Sequence, residues 1–112
     1  MSPPAPLDRL SRTVKILSSK RLGNILRRGL RFESAVPKTG SALRAELRVE
    51  GKLVAIERRV RLSRGRVRVT MKLTRTERAR LSRQLRGRQR ATAQLKVLSG
   101  GETRTVRFTI SR

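Results

Sequence analysis

Basic side chains recur at two regular spacings in the second half of this chain. Between residues 66 and 73 they alternate with apolar residues, and between 75 and 86 they fall on one side of a helix-like pattern. The strand group is Arg66, Arg68 and Lys72, and the helix group is Arg75, Arg78, Arg83 and Arg86. Guanidinium groups bind phosphate and carboxylate with two parallel hydrogen bonds, so we predict that these residues bind polyanions by electrostatics.

The rest of the chain is also strongly basic. It has 30 Lys and Arg against seven Asp and Glu, which gives a formal net charge of +23. A field this positive attracts polyanions and steers them at low salt. Arginine is spread over every segment, however, and arginine codons are GC-rich. A GC-rich genome is therefore an alternative explanation for the excess.

The residues that other kinds of site require are missing or scattered. The chain has no Cys and no His, so we expect no metal site, no cofactor and no disulfide. Glu46 and Glu50 are interpreted as cross-strand charge partners of arginines rather than as a catalytic pair. Trp and Tyr are absent too, which weighs against stacking of sugars or bases. We expect neither an enzyme nor a small-molecule substrate.

Alternation of apolar and polar residues predicts about seven strands that would hold these side chains. The second strand of a predicted hairpin lies near residues 53–62. Its apolar residues Val54, Ile56, Val60 and Leu62 alternate in one phase, and Arg58 interrupts that phase. We therefore expect a bulge or a sheet edge near Arg58, and a type II′ turn at Gly51-Lys52 before this strand. The other predicted strands are 13–17, 30–36, 42–50, 66–73, 90–97 and 105–110.

Two short helices interrupt the strands in this prediction. Leu22, Ile25 and Leu26 have helical spacing, with Ser18 or Ser19 as the cap and Gly29 as the terminator. The second helix begins with a capping box, buries two leucines four residues apart, and ends at a glycine. Its residues are Thr74 and Glu77, then Leu81 and Leu85, then Gly87.

The length of 112 residues predicts one domain with one core. Three prolines in residues 2–12 indicate a flexible lead-in over residues 1–12, followed by a single β-sandwich domain over 13–112. No apolar run has the roughly 20 residues of a membrane span, so we expect no transmembrane segment.

The order of elements from residue 65 onward carries a resemblance. A basic alternating strand is followed by LTRTERARLSRQL, then by ATAQLKVLS, a turn and TVRFTIS, and SSKRLGNILRRGLRF precedes them. This order resembles the immunoglobulin-like β-sandwich modules of exported proteins from high-GC actinobacteria, over roughly residues 13–112. Many such modules carry a cysteine pair after the second strand, where this chain has ESAVPKTGSA.

The resemblance implies a mostly β, immunoglobulin-like antiparallel sandwich that serves as a non-catalytic structural or interaction module of a larger secreted or cell-surface protein. Its basic surface would then bind an anionic envelope polymer or lipid headgroups. The alternative, which the charge alone favours, is a cytoplasmic nucleic-acid-binding protein associated with the nucleoid or the ribosome.

Overall fold

A computed structural model describes residues 14–112, and the predicted lead-in of residues 1–12 lies outside them. Seven strands and two helices make up the described part of the chain. The strands are β1 (Lys15–Ile16), β2 (Leu30–Val36), β3 (Ser41–Val49), β4 (Lys52–Leu62), β5 (Gly65–Met71), β6 (Arg90–Ser99) and β7 (Glu102–Ser111). The helices are α1 (Leu22–Arg28) and α2 (Arg75–Gln84).

The strands form two antiparallel sheets, ordered β1-β2-β5 and β4-β3-β6-β7. The prediction of a mostly β sandwich of about seven strands with two short helices is confirmed. The chain passes between the sheets after β2, after β4 and through α2. Before α1 it also reaches the second sheet, where the Ser111 amide donates a hydrogen bond of 3.0 Å to the carbonyl of Lys20.

The core lies between the two sheets and is built by the apolar phase of each strand. Period-two alternation turns these residues inward and leaves the basic residues between them in solvent. Ile25 of α1, Leu81 of α2 and Leu85, which directly follows α2, belong to the same core. Its largest fully buried side chains include Leu30, Phe32, Leu43, Leu47, Met71, Leu81, Leu85, Leu95 and Ile110.

Strand β4 departs from the predicted phase because it contains two bulges. Leu47 faces Ala55 but Arg48 faces Leu53, and Ser41 faces Leu62 while Leu43 faces Arg59. Each extra residue reverses which side chains point inward. The predicted bulge or edge near Arg58 is therefore confirmed, since β4 is also an edge strand. The prediction that Val60 points inward is wrong, and its exposed fraction is 70%.

Two local predictions about turns and caps are also wrong. Val49 pairs with Lys52, so the β3–β4 turn is centred on Glu50 and Gly51, with φ of 52° and 80°. Two positive φ values are typical of a type I′ turn, one residue earlier than predicted. The serines do not cap α1, because Ser18 Oγ accepts from the Arg31 amide at 3.0 Å and the cap position is Arg21.

Two of the other three helix ends agree with the sequence, and the end of α2 does not. Gly29 follows α1 with φ of 83°, and its amide donates to the carbonyl of Ile25. Both hydrogen bonds of the predicted capping box are present at the start of α2, between Thr74 and Glu77. Helix α2 ends at Gln84, three residues before the predicted terminator Gly87.

Candidate polyanion-binding surface

The structure places the predicted basic residues on two elements rather than in one site. The strand group lies on the outward face of β5, with Lys72 just beyond its end. The helix group lies on the solvent side of α2, with Arg86 in the turn that follows it. All seven residues are exposed. The two groups differ in whether a carboxylate lies among them.

Glu33 partly neutralises the strand group. Strands β2 and β5 are paired so that Glu33 is the direct neighbour of Arg68. Its carboxylate contacts Arg66 Nε at 2.6 Å and Arg68 Nε at 3.4 Å. The hydrogen bond from Arg66, followed by the charges of both arginines, lowers the pKa of Glu33 below its ordinary value. An incoming phosphate would have to compete with this carboxylate for both guanidinium groups.

The helix group has no such acid beside it. Leu81 and Leu85 are buried, whereas all four arginines of the helix group are exposed. The acidic residue of this helix, Glu77, is turned away from them. It accepts hydrogen bonds from the Thr74 amide at 2.8 Å and from the Ile56 amide of β4 at 3.4 Å. Within the described residues, Arg75, Arg78, Arg83 and Arg86 form no ion pair.

The other glutamates of the described chain are also bound by the protein itself. Glu46 contacts Arg44 at 3.1 Å and Arg48 at 3.4 Å. Both arginines lie on the same strand as Glu46, so the expected cross-strand pairing is wrong for it. Glu57 pairs with Arg59 on β4. No carboxylate of β3 or β4 is therefore left without a basic partner.

Glu50 lies at the tip of the β3–β4 hairpin and binds the start of β6. Its carboxylate accepts from the Thr92 amide at 2.6 Å and from Arg88 Nη1 at 2.7 Å. The backbone hydrogen bond from Thr92, followed by the Arg88 side chain, lowers the pKa of Glu50 below its ordinary value of 4.5. Glu50 therefore ties the hairpin to the start of β6.

Arg104 is an unusual residue that the sequence reasoning missed. Its side chain points into the sandwich, and only 6% of it is exposed. Nη2 contacts Glu102 Oε1 at 3.3 Å, but Nε and Nη1 are buried with no acceptor among the described residues. The alternation of Val106, Phe108 and Ile110 places Arg104 in the inward phase of β7, so the signal was present in the sequence.

Three further observations concern metal ligands, membrane spans and known proteins. No group of three or more acidic side chains in residues 14–112 is arranged to hold a metal ion. The two helices described are neither long nor apolar enough to cross a membrane. Comparison with protein-family models, with curated proteins and with solved structures finds no match.

Proposed function

We propose that this chain is a non-catalytic interaction module that binds polyanions through the exposed side of α2. The observation that carries this proposal is that four exposed arginines lie within one short segment, α2 and the turn after it, and none of them forms an ion pair with the described residues. Every glutamate of residues 14–112 is already engaged by the protein's own groups, and none faces the arginines of α2. Exposed guanidinium groups without internal partners are free to bind phosphate or carboxylate oxygens.

The arrangement on α2 suits a linear anionic polymer better than a single small anion. Arg75 and Arg83 are eight residues apart on the helix, which corresponds to about 12 Å along its axis at 1.5 Å per residue. Several phosphates of one chain would be contacted together, and each contact releases a condensed counterion. Binding should therefore weaken steeply as salt is added, and it should show little preference for sequence.

The topology supports the immunoglobulin-like part of this proposal. In the constant-type immunoglobulin arrangement, strands 1, 2, 5 and 4 form one sheet and strands 3, 6 and 7 form the other. Here β1, β2 and β5 pair in one sheet, and β3, β6 and β7 pair in the other. The difference is β4, which lies at the edge of the second sheet beside β3.

The cellular setting follows from the resemblance, and we propose a secreted or cell-surface protein of which this module is a part. The polyanion would then be an anionic envelope polymer. The net charge of +23 favours a second candidate, a cytoplasmic protein that binds DNA or RNA. The reading frame around this segment discriminates between them, because an upstream signal peptide favours the first and its absence from the full gene favours the second.

The proposal is tested by removing the same number of charges from two surfaces. One variant replaces Arg75, Arg78, Arg83 and Arg86 with Gln, which keeps the helix propensity nearly unchanged. The matched control makes the same change at four exposed arginines that have no ion pair among the described residues, namely Arg27, Arg28, Arg31 and Arg90. Binding to polyphosphate and to a labelled DNA duplex is measured by fluorescence anisotropy over a range of salt concentrations.

We expect the α2 variant to lose at least about tenfold more affinity than the control at about 50 mM salt. We also expect its slope of log affinity against log salt to fall by roughly three to four, because about 0.9 counterion is released for each phosphate contact. Equal losses in the two variants would mean that net charge alone binds the polymer, and the α2 surface would then be the wrong site. Circular dichroism of both variants excludes unfolding as the cause.

A further inference from the structure

Three of the four sheet edges in the described chain are short, bulged or covered. Strand β1 has only two residues. The edge of β4 has two bulges, and its Ile56 amide donates to Glu77 of α2. The edge of β5 is covered where Arg59 Nη2 donates to the carbonyl of Thr70 at 3.2 Å. Such features prevent the unpaired backbone groups of an edge strand from pairing with another chain.

Among residues 14–112, strand β7 has neither a bulge nor a covering group over most of its length. It pairs with β6 over ten consecutive residue pairs without a register shift. Two hydrogen bonds beyond that ladder show which backbone groups point outward. The Arg112 amide donates to Gln89, on the β6 side, and the Ser111 amide donates away from β6 to Lys20. Since these directions alternate along a strand, the odd-numbered residues from 103 to 109 direct their amides and carbonyls away from β6, where no hydrogen bond to another described residue reaches them.

We propose that this open edge of β7 binds an extended, acidic segment of another protein as an additional strand. The Lys20–Arg21 segment already pairs with the C-terminal end of β7, and the bound segment would continue that row toward Thr103. The available length is seven residues, or about 23 Å at 3.3 Å per residue. Backbone hydrogen bonds would supply affinity, and the side chains on the two faces would supply specificity.

The side chains of β7 indicate the pattern of the partner. Val106 is partly buried on the inward face, so an apolar side chain beside it would extend the core. Arg107 is exposed on the outward face and forms no ion pair with the described residues, so an acidic side chain suits that position. The partner should therefore alternate apolar and acidic residues.

A second copy of this chain fits the same edge poorly. Pairing two β7 strands would bring the arginines of both edges together, and each chain carries a net charge of +23. Like charges on neighbouring strands oppose pairing, and they do so most at low salt. Arg104 points inward on this edge, and two of its nitrogens have no partner among residues 14–112, so it adds to the excess of positive charge there. Charge thus selects an acidic partner over self-association.

The test uses a seven-residue peptide of alternating Val and Glu with blocked ends, titrated into the intact protein at about 150 mM salt. Two further peptides carry N-methyl groups, one on every Val amide and the other on every Glu amide. Only one of these sets can face β7 in an added strand, so we expect one methylated peptide to bind at least about tenfold more weakly and the other to bind within about threefold. The Thr105 and Thr109 amides should become protected from hydrogen exchange on binding.

Charge reversal on the protein gives a second readout. Arg107→Glu should weaken the Val-Glu peptide and strengthen a Val-Lys peptide. Arg90→Glu is the matched control because it makes the same charge change at an exposed residue of β6. If both methylated peptides bind equally, or if the two variants behave alike, binding is electrostatic attraction without strand addition and this proposal is wrong. That outcome would leave the α2 proposal intact, because the α2 variants test it independently.

Discussion

Replacing Arg104 with Met should stabilise the protein, although it removes the ion pair with Glu102. The ion pair is long, at 3.3 Å, and its acid is 43% exposed, so Glu102 would be hydrated without it. Nε and Nη1 of Arg104 lose their water on folding and gain no acceptor from the described residues. A buried charge that is poorly paired often contributes less than an apolar side chain of similar size. Met keeps the unbranched shape of the arginine stem.

The expected gain in stability follows from the two Arg104 nitrogens that have no acceptor within residues 14–112. Each buried polar group without a partner destabilises the native state by about 1–3 kcal/mol. The loss of the Glu102 contact and imperfect packing of the sulfur offset part of this gain, so we expect a net stabilisation of about 1–3 kcal/mol. For a domain of this size, each kcal/mol raises Tm by about 4 °C.

Urea and thermal unfolding, followed by circular dichroism, measure this difference. The matched control is Arg107→Met on the outward face of the same strand, which should change stability by no more than about 0.5 kcal/mol. A destabilisation of Arg104→Met by more than about 1 kcal/mol would refute the reasoning. It would mean that the buried guanidinium has acceptors, such as ordered water. Sedimentation should accompany the assay, because losing an inward-pointing charge exposes an edge strand to self-pairing.

Two more predictions concern a glycine and a carboxylate. A Cβ at Gly29, where φ is 83°, would lie 2.5 Å from the Met71 carbonyl oxygen, whereas Gly40, with φ of 88°, has open space. Gly29→Ala should therefore lower the free energy of unfolding by at least about 2 kcal/mol more than Gly40→Ala in urea titrations, and equal losses would mean that the backbone shifts to relieve the contact. The hydrogen bonds that lower the pKa of Glu50 stabilise the fold at pH values above the ordinary pKa of 4.5. This stabilisation is lost as the pH falls through the lowered pKa of the folded protein. Glu50→Gln should flatten this part of the stability profile, and an unchanged acid limb would show that the Thr92 hydrogen bond is not involved.

The strands were predictable from the sequence because burial of one face imposes a period of two. Strands β5 and β6 follow that period closely, and the sequence predicts their inward residues. The sequence of β4 does not predict which of its residues point inward, because the position of a bulge depends on how β4 pairs with β3. The αL conformation of Glu50 was missed for a related reason, since the end of the β3–β4 ladder fixes the turn.

The candidate polyanion-binding surface was predictable only where it depends on residues that are close together in the sequence. The capping box fixes where α2 begins, and Leu81 and Leu85 identify its buried residues, so the sequence is enough to predict that its arginines are exposed. The strand group is different, because Glu33 precedes Arg68 by 35 residues and meets it only through the pairing of β2 with β5. Sequence patterns do not give this register, so they could not show that Arg66 and Arg68 share a carboxylate.

The placement of the glutamates has a structural explanation that also accounts for the open surface on α2. Neighbouring strands bring arginines face to face, as Arg44 of β3 is paired directly with Arg58 of β4. Side chains in such positions are about 5 Å apart at Cβ, and like charges there oppose pairing. Glu46, two residues from Arg44, relieves this repulsion. On α2 the exposed arginines diverge into solvent, where screening is strong, so folding requires no carboxylate among them. The described glutamates therefore lie where the protein's own groups bind them, and none pairs with the exposed arginines of α2.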